Sequence, residues 1–290
     1  SMFLTDLSDN KKIEVDNGLY VVSTPIGNKY DITIRALYIL NSSSVIICED
    51  TRVTKKLFNI LELNIKSKMW ISYNDYNANK KIELIIDQLK KDRVISLVSD
   101  AGTPLLSDPG YKLIRATIKH NIKITPVPGA SAITTSLMIS GAKTDKFSFL
   151  GFLPKSKKKF VEILYKYSSL KTTLIIFESA NRIKTLIENI FYHFNYANLI
   201  ITRELTKLHE EVIYIDITNF EKYIRNDFHF KGEITVALEL NQKEDGIDYS
   251  DRELLEKLKK FKPSKVAAML AKSSALTRDE IYKRCIDLVK

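Results

Sequence analysis

The chain of 290 residues, 44% of them hydrophobic, is long enough for two modest domains and a small appendage. Its formal net charge of +10 at pH 7 favours a polyanionic partner over a small neutral substrate. Two cysteines are too few for a disulfide framework or a thiolate metal site, and no apolar stretch reaches the length of a membrane span, so we expect a cytoplasmic protein without metal or membrane association.

Short apolar runs alternate with amphipathic segments along most of the chain. Strands are predicted at residues 19–22, 45–48, 94–98, 122–127, 174–177 and 199–202. Between them, Ile82, Ile85, Ile86 and Leu89 share one helical face, and a second helical face runs from Ile183 to Phe194. This rhythm predicts an α/β fold with mostly parallel sheets.

Three loops follow predicted strands and precede predicted helices. They cover residues 23–28, ahead of a helix expected to open at Asp31, residues 99–110, where Pro109 sits at an expected helix start, and residues 127–132. Such loops offer backbone amides to an anion, and ligands of open α/β sheets gather beyond the carboxyl ends of strands. An ordinary turn explains any single loop, but three in the same context predict a ligand site. Neither a G-x-G-x-x-G nor a P-loop motif is present.

Basic residues cluster in two places in the second half of the chain. Lys155 and residues 157–159 follow the Gly-Phe-Leu-Pro segment at 151–154, where we favour phosphate binding. A polar linker is predicted over residues 241–251, followed by three short helices, the second opened by Pro263 and the third by a Thr277/Glu280 capping box. Their basic face is either solvated or an RNA phosphate contact.

Five segments resemble, in order, the motifs of the ribosomal RNA small subunit methyltransferase I family, a branch of the tetrapyrrole methylase fold family. They lie at residues 24–33, 49–52, 99–110, 151–154 and 203–207. The resemblance implies a tetrapyrrole methylase-like, two-domain α/β fold of the class III methyltransferases with a small C-terminal helical unit. We place an N-terminal α/β domain at residues 18–125, a C-terminal α/β domain at 126–241 and the helical domain at 251–290.

The same resemblance implies the activity. It is S-adenosyl-L-methionine-dependent 2'-O-methylation of a decoding-centre cytidine in 16S rRNA, with the 30S ribosomal subunit as partner and a homodimer as the active form. Carried over residue by residue, the cofactor-binding positions are Gly102, Thr103, Pro104, Leu105, Leu106, Ser131, Ala132 and Phe177, with Leu205 and Glu233 as weaker assignments.

Candidate catalytic residues are charged side chains within the matching motifs or next to Phe177. The candidates for the proton acceptor are six carboxylates, Glu49, Asp50, Asp100, Asp108, Glu178 and Glu204. Lys207 and Arg52 are candidates for holding a phosphate or stabilising an alkoxide. For any single one of these residues, a helix cap or a salt bridge is a better explanation than catalysis.

The chain departs from the wider family in two segments. Gly102-Thr103-Pro104 stands where many tetrapyrrole methylases have Gly-Asp-Pro, which disfavours porphyrinoid substrates, and residues 74–78 lack the His-rich segment common in the RNA-modifying branch. We assign no catalytic role to residues 74–78. The alternatives are a methylase of a small porphyrinoid acid and a non-enzymatic rRNA-binding assembly factor.

Overall fold

The computed structural model describes residues 15–74, 76–194, 196–240, 249–274 and 276–289. Its contacts divide the chain between Thr135 and Ser136 into two compact units, called unit 1 and unit 2 below. The domain limits expected at residue 125 and around the C-terminal helices stay predictions. Asp75 in the departing segment and residues 241–248 of the expected linker lie outside the described residues.

Unit 1 is built on a parallel five-stranded sheet with the order β3-β2-β4-β1-β5. Its strands are β1 (Gly18–Val22), β2 (Val45–Cys48), β3 (Met69–Ser72), β4 (Val94–Leu97) and β5 (Ile124–Val127). Its helices are α1 (Ile34–Ser42), α2 (Thr51–Ile60), α3 (Ala78–Leu89) and α4 (Tyr111–Lys119), and α5 (Ala132–Ser140) spans the division.

Alternate residues of β2 enter separate hydrophobic cores. Val45 and Ile47 pack into one core, whereas Ile46 and Cys48 pack into the other. Because both faces of the sheet are covered, its central strands β1, β2 and β4 are nearly continuous apolar runs rather than alternating ones. This pattern made the central strands predictable, whereas the edge strand β3, with Met69 38% exposed, was not predicted.

Two helices of unit 1 begin later than expected. The first begins at Ile34, not Asp31, because the Thr33 hydroxyl caps it by accepting from the Ala36 amide at 3.1 Å. Helix α4 begins at Tyr111, not Pro109, because Gly110 has a φ of 145°, which is incompatible with a helix.

Unit 2 contains a mixed five-stranded sheet with the order β6-β7-β10-β8-β9. Its strands are β6 (Phe147–Phe152), β7 (Thr173–Ser179), β8 (Ala197–Arg203), β9 (Glu211–Ile215) and β10 (Glu233–Leu240). Only the pairing of β6 with β7 is parallel, so the expectation of mostly parallel strands is wrong for this sheet. The connection from β8 to β9 is too short for the crossover that a parallel pair requires.

Six further helices complete unit 2. They are α6 (Lys157–Ser168), α7 (Ile183–His193), α8 (Phe220–Ile224), α9 (Asp251–Leu258), α10 (Pro263–Leu270) and α11 (Arg278–Val289). The last three share a small core that includes Leu254, Val266 and Ile281. The predicted capping box opens α11, where the Thr277 amide donates to Glu280 Oε2 at 2.8 Å and the Glu280 amide donates to Thr277 Oγ1 at 3.3 Å. None of the helices described is both long and apolar enough to cross a bilayer.

Candidate functional site

The three predicted loops of unit 1 lie side by side. They follow β1, β4 and β5, which are neighbours in a parallel sheet, so their carboxyl ends share one edge. An isolated backbone bridge joins the first two loops. The Thr24 amide donates to the Gly102 carbonyl at 2.9 Å, and the Gly102 amide donates to the Thr24 carbonyl at 3.1 Å.

Thr103 connects all three loops through its hydroxyl. Its Oγ1 lies 3.0 Å from Ser23 Oγ in the first loop and donates to the Ala130 carbonyl, also at 3.0 Å, in the third. Within the second loop, Ser99 Oγ donates a hydrogen bond to the Gly102 carbonyl at 3.1 Å and so stabilises the turn. The loops are therefore held by hydrogen bonds of the chain itself.

The second loop has an unusual backbone. Gly102 has a φ of 77°, and Leu105 and Ser107 also lie in the left-handed region, at 74° and 62°. Non-glycine residues in this region carry strain that surrounding structure must support, and such strain collects at functional sites. A Cβ atom on Gly102 would lie 3.1 Å from Ile26 Cγ2, so the first loop leaves no room for a side chain there.

This edge of unit 1 also carries polar groups whose hydrogen-bonding capacity is unused. Within the described ranges, the amides of Thr103, Leu105 and Leu106 donate to no other group of the chain. Thr24 is 1% exposed, yet its Oγ1 has no partner among the described residues. Because buried polar groups are nearly always paired, the Thr24 hydroxyl is suited to a polar ligand, and the three amides, which belong to residues that are at least partly exposed, are accessible to the same ligand.

Carboxylates gather beyond β2 and β4. Asp100 accepts a hydrogen bond from the Asp50 amide at 3.2 Å, and burial raises the pKa of Asp100. Burial, with the charges of Glu49 and Asp100, raises the pKa of Asp108 to about 6. Of the candidate bases, Asp100, Glu49 and Asp108 therefore belong to one group.

Arg52 is bound to its own helix cap. Its guanidinium donates to both carboxylate oxygens of Asp50, at 3.1 and 2.8 Å, and these hydrogen bonds lower the pKa of Asp50 to about 2. The Arg52 side chain is nevertheless 89% exposed. Its cation remains accessible to an anion in solution.

In unit 2, three predicted residues form one ionic network. Lys207 Nζ lies 3.2 Å from Glu204 Oε1 and 2.9 Å from Glu233 Oε2, and the Glu233 amide donates to Glu204 Oε1 at 2.8 Å. That amide, with Lys207, lowers the pKa of Glu204. Burial lowers the pKa of Lys207, but Glu233 and Glu204 outweigh it, so that the pKa lies above its usual value. Glu204 and Lys207 are therefore both held in their charged forms.

The backbone around this network is equally constrained. Glu204 and Thr206 have φ values of 51° and 67°, and Leu205 between them is 7% exposed. Gly232 has a φ of 84°, and a Cβ atom there would lie 2.3 Å from Glu204 Oε1. The last predicted residue, Phe177, is half-buried and packs edge-on against Phe149 and Phe152, with ring centroids 5.0 and 5.8 Å away.

The structure therefore brings together two sets of predicted residues, one in each unit. Unit 1 holds Asp100, Glu49, Arg52, residues 102–106 and Ser131 with Ala132; unit 2 holds Phe177, Glu204, Leu205, Lys207 and Glu233. The motifs assigned no role to Thr24 or Ser99, although both lie in the loops that the motifs identified, whereas Asp108 was already among the candidate proton acceptors. No group of three or more His, Cys, Asp or Glu side chains in the described part of the chain is arranged to hold a metal ion.

Comparisons with known proteins agree with this architecture. The family described as Tetrapyrrole (Corrin/Porphyrin) Methylases matches residues 18–220. A protein of Rickettsia prowazekii (strain Madrid E) named ribosomal RNA small subunit methyltransferase I is 43% identical over 225 residues, which cover 78% of this chain and 79% of the relative. A protein of the same name from Vibrio cholerae serotype O1 is 36% identical over 285 residues, 96% of this chain and 97% of the relative.

A solved structure shares the fold at low sequence identity. The uroporphyrin-III C-methyl transferase of Thermus thermophilus, complexed with S-adenosyl homocysteine, has a TM-score of 0.54 and is 13% identical, covering 77% of this chain and 97% of that protein. The resemblance inferred from the motifs is thereby confirmed, and the chain belongs to the tetrapyrrole methylase family, in its ribosomal RNA small subunit methyltransferase I branch.

Proposed function

We propose that this chain transfers a methyl group from S-adenosyl-L-methionine to the 2'-hydroxyl of a decoding-centre cytidine of 16S rRNA, within the 30S subunit and as a homodimer. The names of its relatives support an rRNA substrate, and the ligand of the Thermus thermophilus enzyme supports the cofactor. The observation that carries the proposal is the edge of unit 1, where three loops are bonded together and still present unused donors.

The residues at this edge fit a cofactor that has a carboxylate and hydroxyl groups. The amides of Thr103, Leu105 and Leu106 can donate to it, and the unpartnered hydroxyl of Thr24 can donate or accept. The expected cofactor-binding residues are Gly102, Thr103, Pro104, Leu105, Leu106, Ser131 and Ala132 from unit 1, and Phe177, Leu205 and Glu233 from unit 2. When bound, S-adenosylmethionine supplies a methyl group on a sulfonium, which is already a good leaving group.

The protein's own contribution is to align the ribose hydroxyl, exclude water and accept its proton. Asp100 and Asp108 are the preferred acceptors in unit 1, because burial raises the pKa of both, that of Asp108 to about 6, and makes these carboxylates more basic. Glu49 and Glu204 are the alternatives, although Glu204 is a weaker base because its pKa is lowered. Lys207 and Arg52 are cations suited to a phosphate or to negative charge developing on the hydroxyl oxygen.

The test is methyl transfer to 30S subunits from a strain that lacks this activity. Full-length protein, subunits and labelled S-adenosylmethionine are incubated, and the 16S rRNA is mapped by mass before and after. We expect one methyl group on the ribose of one cytidine, with no transfer to a free tetrapyrrole. Transfer to the tetrapyrrole alone would refute the proposal, and an absence of cofactor binding in calorimetry would instead support an assembly factor.

A matched pair of variants connects this activity to the loops. Thr103→Val removes the hydroxyl that joins the loops and keeps the shape of the side chain. Thr185→Val makes the same change at an exposed position of α7. We expect Thr103→Val to weaken cofactor binding about tenfold, which corresponds to the loss of one or two hydrogen bonds, and Thr185→Val to leave it unchanged.

A further inference from the structure

Tyr192, near the end of α7, holds two cations from distant parts of the chain. Lys157 Nζ lies 5.4 Å from the centroid of its ring, and Arg278 Cζ lies 5.5 Å from it. Lys157 is the first residue of α6, and Arg278 is the first residue of α11. A ring that is itself 59% exposed thus gathers positive charge at the surface of unit 2.

The cations at Tyr192, together with Lys272, which lines a cavity beside them, have the carboxylates of Glu188 and Asp279 in their neighbourhood but form no ion pair with either among the described residues. In the described ranges, neither Lys157, Lys272 nor Arg278 forms an ion pair. Asp279, next in sequence to Arg278, instead accepts from Tyr165 Oη at 2.5 Å and lies 3.6 Å from His193 Nδ1. Burial lowers the pKa of His193, and the charges of Lys157 and Arg278 lower it further against the effect of Asp279. Cations held close together without acidic partners form a surface suited to an anion.

A cavity opens beside these cations. Its volume is about 430 Å³, and Tyr192, Phe220, Lys272, Arg278 and Glu188 contribute to its lining. Cavities of this size hold small organic ligands. Aromatic rings can stack on a nucleobase, the cations can bind its phosphate, and a carboxylate such as Glu188 can accept from an exocyclic amino group.

We infer that this cavity binds an unpaired nucleotide of RNA, with its phosphate on Lys157, Lys272 and Arg278 and its base against Tyr192. The inference rests on the proposed function in so far as RNA is the substrate. It adds a contact through the C-terminal helices, which belong to unit 2. The exposed Lys155, Lys158 and Lys159 continue the positive surface, which favours a polyanion over a free nucleotide.

The test compares two double variants of the full-length chain with equal charge. Lys157→Gln with Arg278→Gln removes the cations at Tyr192, and Lys166→Gln with Arg252→Gln removes exposed cations elsewhere in unit 2. Binding to a labelled RNA hairpin of the decoding centre is measured by fluorescence anisotropy over a range of salt concentrations. For the first pair we expect the magnitude of the slope of log K against log salt to fall by about 0.7, the effect of one lost single-strand phosphate contact, with no comparable change in the control.

A second pair of variants examines the base contact. Tyr192→Ala is expected to weaken RNA binding about tenfold, whereas Tyr192→Phe keeps the ring and retains the affinity. Cofactor affinity, measured by calorimetry on each variant, is expected to equal that of the unmodified chain. An equal cofactor affinity shows that a loss of RNA binding does not arise from unfolding.

The outcomes separate this inference from the proposed function. If the unmodified chain neither binds the hairpin and 30S subunits nor methylates them, the proposed function fails. If it binds RNA and the two charge pairs have equal slopes, the inference is overturned while the proposed function stands. A loss that appears with 30S subunits but not with naked RNA would assign the surface to a ribosomal protein and would also overturn the inference.

Discussion

Replacing Gly102 by alanine tests whether the bridge between the first two loops of unit 1 supports cofactor binding. The φ of 77° at this position costs an alanine about 1–2 kcal/mol in the folded state. The added Cβ would also lie 3.1 Å from Ile26 Cγ2, inside ordinary contact distance, and Ile26 is only 8% exposed. Overpacking of this kind adds about 1–3 kcal/mol, so we expect a total loss of roughly 2–5 kcal/mol in the free energy of unfolding.

The chain provides a matched control at Gly141. Its φ is 73°, nearly that of Gly102, but no atom lies within 4 Å of the position that a Cβ would occupy. Gly141→Ala should therefore lose only the backbone contribution of about 1–2 kcal/mol. The difference between the losses in free energy of unfolding of the two variants isolates the contribution of the contact with Ile26 in the first loop.

Urea unfolding gives the stabilities, and calorimetry gives the affinity for S-adenosylmethionine. We expect Gly102→Ala to weaken cofactor binding by a factor of about ten or more, because displacing the bridge moves the amides of the second loop. Gly141→Ala should retain the cofactor affinity. Equal losses of stability in the two variants, with an unchanged cofactor affinity in Gly102→Ala, would refute this account of the loops.

Three further predictions concern charged groups. In Asp108→Asn the free energy of unfolding should rise by about 1 kcal/mol at pH 7, and this gain should vanish below pH 4. The reason is that the pKa of Asp108 is raised to about 6, so the native protein loses stability as the pH rises from about 4 through 6. Urea unfolding at both pH values checks the sign. Tyr165→Phe removes the hydroxyl donor to Asp279 and should cost about 1.5–3 kcal/mol, seen as faster amide hydrogen exchange in α11 but not in α3. Lys207→Gln leaves Glu204 and Glu233 without their shared cation and should slow single-turnover methyl transfer about tenfold or more. The control Lys231→Gln changes an exposed residue and should leave the rate unchanged. Equal rates in the two variants would show that Lys207 is not part of the site.

Sequence patterns were most informative where local signals and the fold coincide. The central strands of unit 1 are apolar runs because both sheet faces are buried there, and the loops after β1 and β4 contain the glycines and prolines that their backbone requires. The helical faces around Ile85 and Ile187 were predicted for the same reason, since their apolar residues recur at helical spacing and are buried.

The remaining features depend on contacts between distant residues. Strands β3, β6, β9 and β10 were not predicted. The antiparallel pairing of β9 and β10 is decided by neighbours that no local pattern identifies. The raised pKa of Asp108 depends on Glu49 in another loop, and Tyr192 meets Lys157 and Arg278 only after α6, α7 and α11 have packed. The sequence located both basic clusters but did not predict that Lys157 of one and Arg278 of the other meet at Tyr192.

The positions of the two thiols allow the opening of each unit to be followed separately. Cys48 is buried in unit 1 and Cys285 in unit 2, and burial raises the pKa of both, that of Cys48 to about 11. Because the thiolate is the reactive form, neither should be alkylated at neutral pH while its unit stays closed. Time courses of labelling at each cysteine, resolved by peptide mass, would therefore report the opening rates of the two halves of the enzyme and show which of them a bound cofactor or RNA protects.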